Sequence, residues 1–260
     1  MRIIISPAKK MNIREDLWEY VGIPRYLPEA EALKEYLQRL SFQEAKEIWC
    51  CNDKIAKLNY QRFQEMDLSK RLTPALLAFE GLQYQYMKPE VFTDSEIEYV
   101  QKHLRILSGF YGVLRPLDGV VPYRLEMQAK IKMKAGEREY DNLYDFWGDK
   151  IACETIRGLP KESMILNLAS KEYSKTIEPY LGSGNKMVSC IFGREKVGKN
   201  GEMQIKVGGT QAKMLRGEMV RHLAVNQVSC LEGVKNFEGL GFKYEKALSN
   251  DENLVFLKVE

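Results

Sequence analysis

The chain has 260 residues, 45% hydrophobic and 29% charged, with a formal net charge of +3. These proportions describe a globular protein long enough to bury a substantial core, and they exclude collagen-like, disulfide-framework and membrane-spanning chains. The five cysteines are scattered, odd in number and without Cys-x-x-Cys spacing, and His103 and His222 are the only histidines, so reduced, mainly buried thiols and no metal or cofactor are expected.

Arg2 to Ser6 is a β-branched run closed by Ser6-Pro7, the pattern of a buried strand ending in a loop, with Lys9 and Lys10 at its end. It is too short for a signal peptide, which points to a cytoplasmic protein with no membrane partner. Ala30, Leu33, Leu37 and Leu40 recur at helical spacing. A second helical stretch, Phe42 to Phe63, follows Ser41 with Glu44 three residues on, a capping box. Thr73-Pro74 opens a short helix toward Phe79 that Gly81 stops. Thr93 with Glu96 caps a helix expected to end near Leu107. Tyr140 to Ile156 predicts a helix and Met164 to Ala169 a central strand, followed by Lys171, Glu172 and Tyr173. Met187–Glu195 and Met203–Val207 bracket Gly198-Lys199-Asn200-Gly201, a hairpin signal. Thr210 to Gln227 predicts a helix, and Gly241–Ala247 and Asn253–Val259 a closing hairpin. No repeat or linker divides residues 1–260, so one compact α+β (mixed α/β) domain with a mixed sheet and surrounding helices is expected.

The segment from His103 to Met127 stands out, because core packing does not require so many arginines among glycines. Gly109 and Gly112 flank Phe110 and Tyr111, so a helix ending near Leu107 would meet a turn whose bare amides approach a phosphate, with Arg105, Arg115 and Arg124 taking its charge. The structural alternative is a C-capped helix, a tight loop and a proline stop. Between residues 102 and 134 seven basic residues oppose two acidic ones, and between residues 194 and 221 seven oppose three. If the two blocks share a face, the protein has a basic groove.

Other constellations are less specific. Ser6-x-x-Lys9 has a spacing used in acyl transfer, but it ends a strand and lacks companion motifs, so Lys9 is read as an anion ligand. Asn52, Ile55, Asn59 and Arg62 share one helix face, a site or a buried network, with Asp53 pairing Lys54 or Lys57. Asp118, Glu126, Asp149 and Glu172 are acid-base candidates with no spacing that names a reaction. His103 reads as a cap or packing group. No Walker loop or Gly-x-Gly-x-x-Gly occurs.

Several ordered pieces resemble the YaaA family of bacterial peroxide-stress proteins: Ile4-Ile5-Ser6-Pro7-Ala8-Lys9, Asn52-Asp53-Lys54 with Asn59 and Arg62, Phe79-x-Gly81-x-x-Tyr84, the His103–Met127 block, Leu143-Tyr144-x-Phe146-Trp147-Gly148, Asn167-Leu168-Ala169-Ser170-x-Glu172-Tyr173 and Lys213-x-x-Arg216-Gly217-x-Met219. The resemblance implies a cytoplasmic protein that protects against hydrogen peroxide, lowers free iron and oxidative damage, and binds DNA through a basic cleft and a helix-hairpin-helix element. That element maps here onto the helix ending near Leu107, the Gly109–Gly112 turn and the segment after Val113. Lys258 stands where the family commonly has arginine. The primary expectation is therefore DNA held by Lys9, Asn59, Arg62, Arg105, Gly109, Gly112, Arg115, Arg124, Lys171, Lys213 and Arg216, with Tyr111 or Tyr123 stacking on an unpaired base. The alternative is an enzyme holding a nucleotide, damaged nucleic acid or a small phosphorylated ligand through the same arginines, with Glu126 or Glu172 as the acid-base group. Direct iron sequestration is disfavoured by the poverty of histidine.

Overall fold

The computed structural model describes residues 1–14, 17–182, 184–197 and 203–259. Ile3, Ile4 and Ile5 are fully buried because β1 (Arg2–Ile5) runs through the middle of a mixed sheet. The other strands are β2 (Leu104–Ser108), β3 (Gly112–Leu114), β4 (Met164–Leu168), β5 (Lys186–Val197), β6 (Met203–Lys206), β7 (Phe242–Tyr244) and β8 (Asn253–Lys258). Their order is β7-β8-β5-β4-β1-β2-β3, with β6 paired to β5. The five central strands are parallel, in register from Ile3 opposite Leu104 on one side and Ile3 opposite Leu166 on the other. Strands β3, β6 and β7 add antiparallel margins. The chain leaves β1 for β2 on one side and later returns to β4 on the other. The carboxyl ends of β1 and β4 therefore form the crevice where such sheets place ligands.

The helices are α1 (Leu27–Arg39), α2 (Phe42–Trp49), α3 (Asp53–Gln64), α4 (Leu82–Met87), α5 (Asp94–His103), α6 (Leu143–Trp147), α7 (Lys150–Ile156) and α8 (Gly209–Val225). Both predicted capping boxes form, Ser41 with Glu44 and Thr93 with Glu96. The stretch expected to run as one helix from Phe42 to Phe63 is broken: Cys50 takes the left-handed conformation that ends α2, and the Asn52 side chain accepts the Ile55 N–H to start α3. Tyr140 to Ile156 is likewise divided, at Gly148–Asp149. Gly81 does not stop a helix so much as precede one, since only Ala75–Ala78 is helical before it and α4 follows. Buried side chains from all these elements make one continuous core. No described helix is long and apolar enough to cross a membrane.

The largest correction concerns the arginine-glycine block. Helix α5 ends at His103, and Leu104–Ser108 is a buried strand whose partner is β3, with Ile106 opposite Leu114 and Ser108 opposite Gly112. Leu104 and Leu107 satisfy helical spacing, but a short apolar run fits a central strand equally well, and the register with β1 decides it. The segment expected to hold the helix-hairpin-helix element is thus a β-hairpin. The turn amides are not free, because Ser108 Oγ accepts the N–H groups of Phe110 (3.2 Å) and Tyr111 (2.8 Å). The two glycines serve close packing. A side chain at Gly109 would meet the Leu125 carbonyl, and Gly112, at φ +73°, lies against the Trp147 ring.

The cysteines are free, as expected, but only Cys190 is buried; Cys50, Cys153 and Cys230 are exposed. The β5–β6 pairing agrees with the predicted hairpin, while its Gly198–Gly201 turn lies outside the described residues.

Candidate anion-binding site at the carboxyl end of the sheet

A cavity of about 520 Å3 opens where β1 and β4 end. Ser6, the first residue beyond β1, and Ser170, the second beyond β4, meet there: Ser6 Oγ accepts the Ser170 N–H at 2.8 Å and lies 3.2 Å from Ser170 Oγ. Tyr84 on α4 donates its hydroxyl to the Ser6 carbonyl at 3.0 Å. Opposite these, α8 contributes Lys213 and Arg216. Helices α4 and α8 approach closely because residue 217 is glycine: a Cβ there would fall on the Gln83 carbonyl oxygen. The Arg124–Glu126 segment closes the remaining side.

The charges are unevenly satisfied. Glu126 sits between two cations, with Lys9 Nζ 2.6 Å from Oε2 and Arg124 Nη2 3.1 Å from Oε1, the second contact being off the hydrogen-bond line. Lys9 is therefore committed to Glu126 and not to Ser6, which leaves the serine-lysine pair without the contact acyl transfer needs. Arg216 is different. No carboxylate lies within ion-pairing distance of it among the described residues, and its buried Nε has no acceptor. Burial lowers its pKa, and the only titratable group acting the other way is the Cys190 thiol. Arg124 Nε and Gln83 Nε2 are also buried without partners in this cavity. Each unsatisfied buried donor costs about 1–3 kcal/mol, more when charged, so this donor set is suited to an acceptor-rich, negatively charged group. Glu172 is pushed above the usual carboxylate range, chiefly by burial and further by Glu126, although its Oε1 accepts the Gln128 N–H at 3.3 Å.

A family model described as peroxide stress protein YaaA matches residues 1–248. The chain belongs to the YaaA family. Among relatives, it is 51% identical to a UPF0246 protein of Desulfitobacterium hafniense (strain Y51), covering 99% of this chain and 98% of that one. It is 49% identical to a UPF0246 protein of Lachnoclostridium phytofermentans, covering 100% and 97%, and 46% identical to one of Pediococcus pentosaceus, covering 100% and 99%.

In this YaaA-family chain the structure gathers Lys9, Arg124, Glu126, Glu172, Lys213 and Arg216 around one cavity. One residue of the first basic block thus joins two of the second. Lys171 is exposed on the helical turn Lys171–Ser174 but does not line the cavity. Arg105 and Arg115 go elsewhere, to a smaller cavity at the amino end of β2. Asn59 and Arg62 form the buried alternative: Asn59 Nδ2 donates to the Ile55 carbonyl and Arg62 Nη2 to the Met11 carbonyl. Asp53 pairs with Lys46 at 2.6 Å and not with Lys54 or Lys57. Tyr111 is buried and its hydroxyl accepts the Val121 N–H, so it is closed to a stacking base. Tyr123 lines the cavity, with its hydroxyl 2.6 Å from Ser108 Oγ. His103 packs on Tyr99 and meets the Met1 carbonyl through Nδ1, a structural group.

Ser170 and Gln83 were not singled out by sequence reasoning. Ser170 had a legible signal, since it follows β4 as Ser6 follows β1. Gln83 had none, because its place depends on the α4–α8 contact.

Proposed function

We propose that this peroxide stress protein acts in the cytoplasm by gripping nucleic-acid phosphates at the carboxyl-end cavity, through Lys9, Arg124, Lys213 and Arg216. The observation that carries the reading is Arg216, a half-buried side chain without a counter-ion whose Nε is buried and unpartnered, in a cavity where two further buried donors lack acceptors. Phosphate oxygens supply what these groups lack, in the forked geometry arginine prefers. Lys130, Lys132 and Lys134 are exposed and alternate with buried Ala129, Ile131 and Met133, extending a cationic row from the segment that carries Arg124. Binding of this kind releases counter-ions condensed on DNA. Displacing ferrous iron among them would limit radical formation at the backbone and connects the reading to free-iron-driven damage.

The test is fluorescence anisotropy of labelled duplex, bulged and single-stranded DNA across a salt series, with Arg124→Ala/Lys213→Ala beside wild type. Affinity should fall for all sequences and the salt slope should drop by about two, one for each phosphate no longer neutralised. Unchanged affinity and slope in the double variant reject the assignment.

The cavity also favours a second reading, an enzyme acting on a nucleotide or lesion-bearing end. Glu172 is a carboxyl whose pKa is raised, chiefly by burial, in a cavity lined by cations, a placement suited to an acid-base group. Turnover of nucleotides or lesion-bearing DNA that disappears in Glu172→Gln while binding persists would establish it.

A further inference from the structure

Arg105 and Arg115 do not serve the carboxyl-end cavity, and their own surroundings form a distinct site. Arg105 is the second residue of β2 and is 5% exposed. Its Nη1 donates to the carbonyls of Leu104 (2.6 Å) and Gln101 (3.3 Å), but its Nε is buried without an acceptor. No carboxylate lies within ion-pairing distance of it among the described residues. It lines a cavity of about 280 Å3 with Arg25, Arg115, Asp118 and Glu154.

Both carboxylates there are already engaged, although Glu154 Oε2 is buried and accepts no hydrogen bond. Glu154 lies 2.7 Å from Arg157 Nε, 3.7 Å from Arg115 Nη2 and 4.0 Å from Arg25 Nε. Asp118 Oδ2 accepts the Arg115 N–H at 2.8 Å, and burial pushes its carboxyl up to about 6. Arg105 has no ion-pair partner among the described residues; Arg2 and Arg115 add to its electrostatic burden, which Glu154 and Asp118 relieve in part. The half-exposed Arg115 and Arg25 hold Glu154 only loosely and are free to turn a donor inward. Val21, Ile23, Val113 and Leu114 supply apolar wall, and the wall is fixed in place by Val21 N–H to the Leu117 carbonyl (2.9 Å) and Gly119 N–H to the Gly22 carbonyl (2.8 Å).

We propose that this amino-end cavity is a second binding site, for a phosphoryl dianion held by Arg105 and Arg115. The chemistry follows from the donors: guanidinium forks match tetrahedral oxyanions, and a buried guanidinium with an orphaned Nε and no ion pair, beside a half-exposed one, favours an anion of more than a single negative charge. Free phosphate and a small phosphomonoester share that chemistry. The cavity is too small for a nucleic-acid strand, and its lining shares no residue with the cavity proposed to hold DNA.

The experiment is thermal shift and calorimetric titration of the full chain in a non-phosphate buffer, using inorganic phosphate and glycerol 3-phosphate as probes. Both should raise the melting temperature of wild type and of Lys213→Ala equally. The affinity should fall by about tenfold or more in Arg115→Ala, a change of about 1.4 kcal/mol, and binding should vanish in Arg105→Met. DNA anisotropy should be unchanged in Arg115→Ala, which separates failure of this site from failure of the DNA reading. Tighter binding of glycerol 3-phosphate identifies an ester as the occupant, and tighter inorganic phosphate identifies the free anion. A phosphate shift that survives in both arginine variants, that is lost in Lys213→Ala instead, or that is absent from wild type overturns the proposal. Should Arg105→Met fail to fold, Arg115→Ala at the half-exposed rim decides the question alone.

Discussion

Arg216 and Arg105 each bury an unpartnered Nε, and they lie at opposite ends of one sheet in unlike surroundings. The carboxyl-end cavity is wide, lies at the strand-order reversal, and mixes lysines with hydroxyls and a carboxyl raised by burial. The amino-end cavity is about half as large and is built as an ion-pair network around Glu154. Strand direction causes the difference. Segment 103–127 enters β2 at Arg105, passes through Ser108 roughly 10 Å further along the strand, turns back through β3 to Arg115, and returns to the carboxyl end with Arg124. Neighbouring arginines in sequence are thus delivered to opposite ends of the molecule, and equal charge does not imply a shared site.

The largest effect that can break this comparison is expected at Gly217. Gly217→Ala places a Cβ on the Gln83 carbonyl and should cost about 3 kcal/mol by forcing α4 and α8 apart. Urea melts should show that loss together with weaker DNA binding, while phosphate binding at the amino end persists. A neutral result would mean the two helices slide freely and do not set the cavity's shape.

Asp118 sharpens the comparison through pH. Its carboxyl is pushed up to about 6 by burial, against about 3.9 in an unfolded chain. Between those values the folded state holds a proton that the unfolded state releases, so this group favours folding increasingly as pH falls through 6, and that benefit is lost as pH rises above it. Asp118→Asn should therefore gain on wild type by about 2.5 kcal/mol between pH 4 and pH 8. Denaturation midpoints that stay parallel across this range would show that Asp118 is charged and compensated throughout.

Replacing either unpaired arginine by methionine tests whether the sites hold their charge for a ligand. Without ligand, Arg216→Met and Arg105→Met should each stabilise the protein by about 1–2 kcal/mol, because a desolvated charge is exchanged for apolar volume. Each should abolish binding at its own end only. Destabilisation in ligand-free buffer would reveal a structural role for the guanidinium beyond the hydrogen bonds described above.

The smallest effect is expected at the rim. Lys9 is largely exposed where it meets Glu126, so Lys9→Ala should change stability by about 0.5 kcal/mol or less. It should still lower the DNA salt slope by about one. A slope equal to wild type would move Lys9 out of the interface.

What the sequence determined by itself was local. Capping residues at Ser41 and Thr93, the isoleucine run of β1, the apolar β4 and the long α8 were legible because each rests on hydrogen bonds or periodicities within a few residues. The chain order of the motifs was enough to place it in its family. Tertiary structure alone decided the rest. Leu104–Ser108 is a strand because β1 offers it a pairing edge. Gly109 and Gly112 are small because Leu125 and Trp147 crowd them, not because a phosphate needs their amides. The first basic block divides between two cavities because parallel strands send their beginnings and their ends to opposite sides of a sheet, which no count of charge along the chain records.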